Sequence, residues 1–194
     1  MVILIGGVSY SGKTFMAQQL LEKYSYPSLS IDHLKMGLYR AGVGCGFTPT
    51  DNPEFIADKL WPILKGIIMT CVENSQNLII EGCYLLPKKI DELPSEYLAD
   101  VISFYLGFSK PYIEEHFESA ILKHRSVIEQ RGELCNAWDN VKNQILMNEI
   151  QKELCEKSNA KYFEIQDDYE MEIKLVYDWI DDEISKKLMQ KMRI

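Results

Sequence analysis

The stretch ILIGGVSYSGKTFMAQQL, Ile3 to Leu20, decides the fold because its character changes twice. It begins as a run of β-branched and aliphatic residues, which is typical of a buried strand. A polar turn bracketed by Gly7 and Gly12 follows, and the chain then continues with the spacing of an amphipathic helix. The fold and the function therefore depend on what this glycine-rich turn holds.

The turn fits the pattern G-x-x-x-x-G-K-[ST], with a strand before it and a helix after it, which is the context that this motif requires. Its glycines let the backbone curl so that successive N–H groups face phosphate oxygens, and the helix N-terminus adds to the attraction. Lys13 would reach the β- and γ-phosphates, and Thr14 would bind Mg²⁺. The predicted nucleotide-binding residues are Gly7, Ser9, Ser11, Gly12, Lys13 and Thr14. The alternative is a flexible strand-to-helix turn without a ligand.

Composition limits the classes of protein that remain. The 194 residues fit one domain, and apolar and charged fractions of 46% and 26% are ordinary for a globular chain. A net charge of −8 with only four arginines disfavours nucleic-acid binding but leaves room for a small anionic ligand. No apolar run approaches the roughly 18 residues that a membrane span needs. Five cysteines without metal-ligand spacing, and no signal peptide, predict free thiols in the cytoplasm.

Short β-rich runs alternate with longer helical patterns along the chain. Runs of this kind imply βα units and a mainly parallel sheet. The predicted strands are VILIG at 2–6, SLSI at 28–31, NLII at 77–80, DVISFYL at 100–106 and KYFEI at 161–165. The apolar stripes predicted to face the sheet are Ile113, Phe117 and Ile121, then Trp138, Val141 and Ile145, and finally Ile173, Val176, Ile180, Ile184 and Leu188.

Two segments after the second strand carry special features. Asn52 and Pro53 are a typical helix cap and first helical residue, but Pro62 removes a backbone donor and is predicted to divide that helix into two pieces. The segment 41–53, AGVGCGFTPTDNP, is rich in Gly, Pro, Thr and Asn and is predicted to be a mobile loop.

At three places the chain resembles the P-loop kinases of small molecules, the nucleoside-monophosphate-kinase-like group. They are GVSYSGKT at 7–14, LSIDHLKMGLYR at 29–40 and LIIEGCYLLP at 78–87. The last two look closest to 2-phosphoglycerate-kinase-like and zeta-toxin-like members. The resemblance implies a three-layer α/β P-loop NTPase fold with a five-stranded parallel sheet and helices on both faces. It also implies one kinase domain over 1–194, with an acceptor-binding region at 32–76 and a candidate lid at 120–136.

Asp32 and Arg40 are the candidate acceptor-binding residues. Asp32 follows the second strand, and the carboxyl ends of strands are where ligands meet catalytic groups in open parallel sheets. It is predicted to act as a base or to orient the acceptor hydroxyl; the alternative is an N-cap for the helix 33–40. Arg40 could clamp a phosphate or carboxylate, or stand exposed at the helix end. His33 and Lys35 are predicted to be solvated helix positions.

Glu81 ends the third strand, where an acid could orient magnesium through water or bind the substrate; the alternative is a carboxylate satisfied by a helix N-terminus. Arg125 and Arg131 lie in the lid region and could stabilise the charge of the transition state, or could be solvated helix charges.

These residues predict a cytoplasmic kinase, a monomer or homodimer, that uses ATP and Mg²⁺ to phosphorylate a small acceptor bearing phosphate or carboxylate. The alternatives are a nucleotide-binding regulatory module without phosphotransfer and a toxin-like kinase of a nucleotide sugar.

Overall fold

The computed structural model of the chain describes residues 1–42, 44–123 and 140–192. Its five strands form one all-parallel sheet in the order β2-β3-β1-β4-β5. The strands are β1 Val2–Gly7, β2 Ser28–Ser30, β3 Leu78–Glu81, β4 Val101–Phe108 and β5 Tyr162–Ile165. All five lie within two residues of the predicted runs, and the predicted fold class is confirmed.

Helices connect the strands. They are α1 Lys13–Tyr24, α2 Ile31–Arg40, α3 Pro53–Glu73, α4 Pro87–Ile90, α5 Ser95–Leu98, α6 Lys110–His116, α7 Val141–Lys157 and α8 Tyr169–Lys191, with a π-helical turn at Phe117–Leu122 that continues α6. None of the described helices combines the length and the apolar character that crossing a membrane requires.

The chain divides into two compact units, Met1–Gly7 with Lys13–Ser103, and Val8–Gly12 with Phe104–Ile194. In the first unit the interior is aliphatic: Ile3, Leu4 and Ile5 of β1 are fully buried. Helices α1 and α3 contact this strand. Strands β1 and β2 both pair with β3. Ile5 of β1 and Ser30 of β2 each stand opposite Glu81 of β3. The strand ends that carry the candidate residues therefore meet at one edge.

The interior of the second unit combines aromatic with aliphatic side chains. Phe104 of β4 and Phe163 of β5 both meet the ring of Trp179 on α8 edge to face, at centroid distances of 5.7 and 5.3 Å. Val176, Ile180 and Ile184 of α8 are buried as their spacing predicts, but Leu188, at the end of the same stripe, is half exposed. The buried stripe therefore stops before the helix does.

Helix α3 corrects one prediction. It runs without a break from Pro53 to Glu73 and contains Pro62, so the predicted division into two pieces is wrong. The helix begins as predicted, with the Asn52 side chain accepting from Glu54 N at 2.8 Å. Pro62 itself is exposed, and the helix buries apolar residues on either side of it, namely Ile56, Ala57, Leu60, Trp61, Leu64 and Ile68. Packing of this apolar face outweighs the one lost backbone hydrogen bond.

Four cysteines are free thiols, as predicted: Cys45, Cys71, Cys83 and Cys155. Cys135 lies outside the described residues, as does Trp138.

Candidate active site

The backbone between β1 and α1 is curled, as the spacing of its glycines predicts. The angle φ is positive at Gly7 (128°), Tyr10 (68°) and Gly12 (83°). Ser11 Oγ donates to the carbonyl oxygen of Val8 at 3.0 Å and so closes the turn. Tyr10 holds an unusual conformation for an aromatic residue, and its ring packs against the buried cluster around Phe108.

Gly12 has a second reason to be glycine. A Cβ at this position would lie 2.3 Å from the hydroxyl oxygen of Tyr169, the first residue of α8. Burial raises the pKa of Tyr169 to about 12, so its hydroxyl stays protonated over the turn. Sequence reasoning missed Tyr169, because no local pattern connects the start of a late helix to this loop.

Lys13 and Thr14 begin α1, and Glu81 ends β3, in the first unit. The Thr14 hydroxyl donates to the Glu81 carboxylate at an oxygen-to-oxygen distance of 3.3 Å. Lys13 is 6% exposed and Glu81 is 4% exposed. The two residues predicted as magnesium ligands thus lie together, next to a buried lysine.

The donor set suits Mg²⁺. This ion prefers hard oxygen ligands and is usually held by one or two carboxylates together with water and substrate phosphates. The described residues include no group of three or more His, Cys, Asp or Glu side chains that could bind a metal alone. A hydroxyl and one carboxylate, as in Thr14 and Glu81, fit a metal that arrives with a nucleotide.

Gly82 allows the end of β3 to approach the start of α2. Its φ is +157°, and a Cβ there would lie 2.8 Å from Cβ of Ile31, the first residue of α2. Its N–H donates to the carbonyl oxygen of Ile5 at 3.1 Å. The close approach brings Asp32, which follows Ile31, to the same edge as Glu81.

Asp32 does not cap α2. Ser30 occupies the N-cap position, and Asp32 lies in the first turn of the helix, so the capping alternative is wrong. The carboxylate of Asp32 instead accepts from Lys35 Nζ at 2.9 Å. The same nitrogen donates to the hydroxyl of Tyr84 at 2.8 Å.

The prediction that Lys35 is solvated is wrong, because this residue is only 8% exposed. Burial opposes its charge, but the hydrogen bond to Tyr84 and the charge of Asp32 leave the pKa of Lys35 above its ordinary value. Burial also raises the pKa of Tyr84, whose phenol stays neutral. The contact between Asp32 and Lys35 could be expected from the sequence, because the two residues are one helical turn apart. No sequence pattern indicates the contact between Lys35 and Tyr84.

The segment after α2 lines a pocket of about 770 Å³. Its wall combines aromatic rings with small and polar residues: Tyr39, Gly42, Gly44, Cys45, Gly46, Phe47, Thr48, Asp51, Asn52 and Phe55. Asp51 accepts from the backbone N–H of Thr48 at 2.7 Å, which orders this wall. The pocket lies within the predicted acceptor-binding region, 32–76.

The structure does not bring every predicted residue to this edge. Arg40 is exposed in the last turn of α2. Arg125 and Arg131 lie outside the described residues, together with most of the candidate lid, 120–136.

No protein-family model matches the sequence, and no protein with a curated description matches it. Solved structures do match. A gluconokinase from Sinorhizobium meliloti 1021 is 17% identical with a TM-score of 0.54, and the match covers 99% of this chain and 96% of that one. Shikimate kinase from Acinetobacter baumannii, in complex with shikimate, is 15% identical with a TM-score of 0.54, covering 96% and 94%. A sugar kinase from Janibacter sp. HTCC2649 is 18% identical with a TM-score of 0.52, covering 93% and 94%.

These matches extend over nearly the whole of each chain and concern the fold. In fold the chain is similar to these kinases, and it carries Lys13, Thr14, Asp32 and Glu81 at or just after the carboxyl ends of β1, β2 and β3.

Proposed function

We propose that the protein is a kinase that uses ATP and Mg²⁺ to phosphorylate an oxygen of a small, anionic metabolite. The contact between Thr14 and Glu81 carries the proposal, because it places a hydroxyl and a buried carboxylate beside Lys13. These are the groups that a P-loop kinase needs at the phosphates. The small-molecule kinases with the same fold support this class of reaction.

Each residue has a distinct task on the nucleotide side. The ammonium of Lys13 attracts the β- and γ-phosphates, and the curled backbone of 7–12 supplies N–H donors to them. Thr14 and Glu81 would hold Mg²⁺, which would neutralise phosphate charge when bound. Ser9 and Ser11 complete the loop around the phosphates.

On the acceptor side, Asp32 orients the hydroxyl and accepts its proton. The acceptor oxygen forms a bond to the γ-phosphorus while the bond from that phosphorus to the bridging oxygen of ADP breaks. The pocket beyond α2 holds the rest of the acceptor. Arg40, Arg125 and Arg131 are further candidates for contacts with acceptor or phosphoryl charge.

A screen of phosphorylated and carboxylated metabolites for stimulated ADP release tests the proposal. Lys13→Ala is expected to abolish nucleotide binding by calorimetry while the thermal midpoint stays near that of the parent. Lys23→Ala, at an exposed lysine of the same helix, is the matched control and keeps full affinity. Unchanged nucleotide affinity in Lys13→Ala would overturn the assignment of the phosphate site.

The same screen tests the role of Asp32. Asp32→Asn is expected to lower acceptor-dependent turnover by roughly 10² to 10⁴, while ATP affinity stays near the parent value. Full activity in this variant would remove Asp32 as the base. An absence of acceptor-stimulated turnover across the screen would favour a nucleotide-binding regulatory module instead.

A further inference from the structure

The buried ammonium of Lys35 has a hydrogen-bond donor that its protein partners do not use. An ammonium group carries three N–H donors and no acceptor. Lys35 donates to Asp32 at 2.9 Å and to Tyr84 at 2.8 Å. Within the part of the chain that the structure describes, the third donor has no acceptor. A charged donor held at 8% exposure without an acceptor is costly, so a bound acceptor atom would stabilise it.

Tyr84 also has a hydrogen-bond donor that no described residue uses. Its hydroxyl oxygen accepts from Lys35, and a lysine ammonium cannot accept in return. The phenolic O–H is therefore left to donate elsewhere, and no described residue accepts it. Because burial keeps the phenol of Tyr84 neutral, this proton remains in place at physiological pH.

Both donors lie at the edge where the acceptor would meet the nucleotide. Lys35 follows Asp32 by one turn of α2, and Tyr84 lies three residues beyond Glu81, just after the end of β3. The strands β2 and β3 are adjacent and parallel, with Ser30 opposite Glu81. A ligand that accepts from both Lys35 and Tyr84 would therefore stand next to the carboxylate of Asp32.

We propose that Lys35 Nζ and Tyr84 Oη together bind an oxyanion of the acceptor, a carboxylate or a phosphate, beside the hydroxyl that Asp32 orients. This inference rests on the proposed kinase function and names the group that the acceptor must carry. One cationic donor and one neutral donor suit an oxygen that only accepts hydrogen bonds. A neutral hydroxyl of the ligand would suit these donors less well. It would need an acceptor for its own proton, and it would not offset the positive charge of Lys35 as an anion does.

The burial of Lys35 makes it a better anion site than Arg40. Arg40 is exposed at the end of α2, where solvent and salt screen its charge. Lys35 is largely removed from water, so its interaction with an anion is stronger at the same distance. The anion contact that the sequence suggested for Arg40 is thus assigned to Lys35 and Tyr84.

The test uses the full chain saturated with ADP and Mg²⁺, so that the phosphate loop is filled. Three small probes are titrated: lactate as a carboxylate, methyl phosphate as a phosphate monoester, and propane-1,2-diol as the neutral counterpart of lactate. NMR of protein with ¹³C-labelled lysine side chains reports on Lys35, whose signal is identified by its loss in Lys35→Met. Saturable shifts of the Lys35 signal are expected with at least one of the two anions and not with the diol.

Variants then measure the two contacts. Lys35→Met is expected to weaken anion binding by calorimetry about tenfold or more, and Tyr84→Phe by about threefold to tenfold, as for charged and neutral hydrogen bonds. Lys89→Met is the matched control, because Lys89 is also partly buried and pairs with the carboxylates of Asp58 and Glu92. Lys89→Met is expected to keep the parent affinity, and Arg40→Ala is expected to lower it less than Lys35→Met does.

Several results would overturn the inference: equal shifts of Lys35 with the diol, no shift with either anion, or parent affinity in Tyr84→Phe. A larger loss in Arg40→Ala than in Lys35→Met would return the anion to Arg40. If Lys35→Met fails to fold, Lys35→Arg, which keeps the positive charge, identifies the Lys35 signal by its loss, and this signal and Tyr84→Phe still decide. A failure of the kinase proposal is separate, because it would show as an absence of acceptor-stimulated ADP release, while the Lys35 signal reports anion binding by itself.

Discussion

Gly12 is the residue whose replacement tests the geometry of the loop between β1 and α1 most directly. It needs glycine because its φ is +83° and because the hydroxyl of Tyr169 occupies the place of a Cβ. These two reasons are separable. The clash involves only the hydroxyl oxygen, at 2.3 Å, whereas the ring carbon that carries it would lie at an ordinary 3.5 Å.

Gly12→Ala is expected to destabilise the protein by on the order of 1–3 kcal/mol, because both the backbone and the contact become strained. In a Tyr169→Phe background the same change should cost less, since only the backbone strain remains. Urea unfolding of the two single variants and the double variant measures the difference. Equal costs of Gly12→Ala in both backgrounds would show that Tyr169 does not confine this position.

Helix α3 shows at the scale of an element how packing overrides a local signal. Pro62 lacks the N–H that would bond to the carbonyl of Asp58, four residues earlier, and a helix interior normally avoids it. The helix nevertheless continues, because its apolar face is buried before and after that position. Pro62 is therefore tolerated at a cost that can be measured.

Pro62→Ala is expected to raise the free energy of unfolding by about 1–2 kcal/mol, because it restores a backbone donor at an exposed position. Gly66→Ala is the control in the same helix. Apart from its chain neighbours and the nearby helix backbone, no described atom lies within 4 Å of its Cβ position, and its gain should be about 0.5–1 kcal/mol. Chemical denaturation gives both values. A loss of stability in Pro62→Ala would mean that the proline ring itself packs or that α3 is not continuous.

At the scale of the whole molecule, buried tyrosines and lysine make the fold sensitive to alkali. Burial raises the pKa of Tyr169 and of Tyr177 to about 12, while a tyrosine in the unfolded chain ionises near about 10. A raised pKa means that the folded state favours the protonated form. This contribution to stability is complete below about pH 10 and is lost as the pH rises toward about 12.

Each of these tyrosines is expected to lower the free energy of unfolding by on the order of 1.4 kcal/mol per pH unit between about pH 10 and pH 12. Lys35 and Tyr84 act in the same direction, because the pKa of each is raised. Urea unfolding followed by tyrosinate absorbance measures the slope, which Tyr177→Phe should reduce; Tyr39→Phe, at an exposed tyrosine, is the control for the substitution itself. A stability that stays constant across this range would contradict the burial of these phenols.

Much of the fold and the geometry of the loop between β1 and α1 could be predicted from the sequence. The five strands follow from short β-rich runs, and the curled loop between β1 and α1 follows from the spacing of Gly7, Gly12, Lys13 and Thr14. Glu81 could be placed because it ends a strand that neighbours β1. These features are local, since a period or a spacing within a few residues is enough to specify them.

The burial of the groups around Asp32 was decided by the tertiary structure. Lys35 looked like a solvated helix position, and only the approach of Tyr84 after β3 makes it a buried ion-pair partner of Asp32. Tyr169 over Gly12, and the continuity of α3 through Pro62, likewise depend on partners distant in the chain. The physical reason is the same in each case: whether a polar group is buried, and what satisfies it there, depends on which distant elements pack against it, and no local pattern records that.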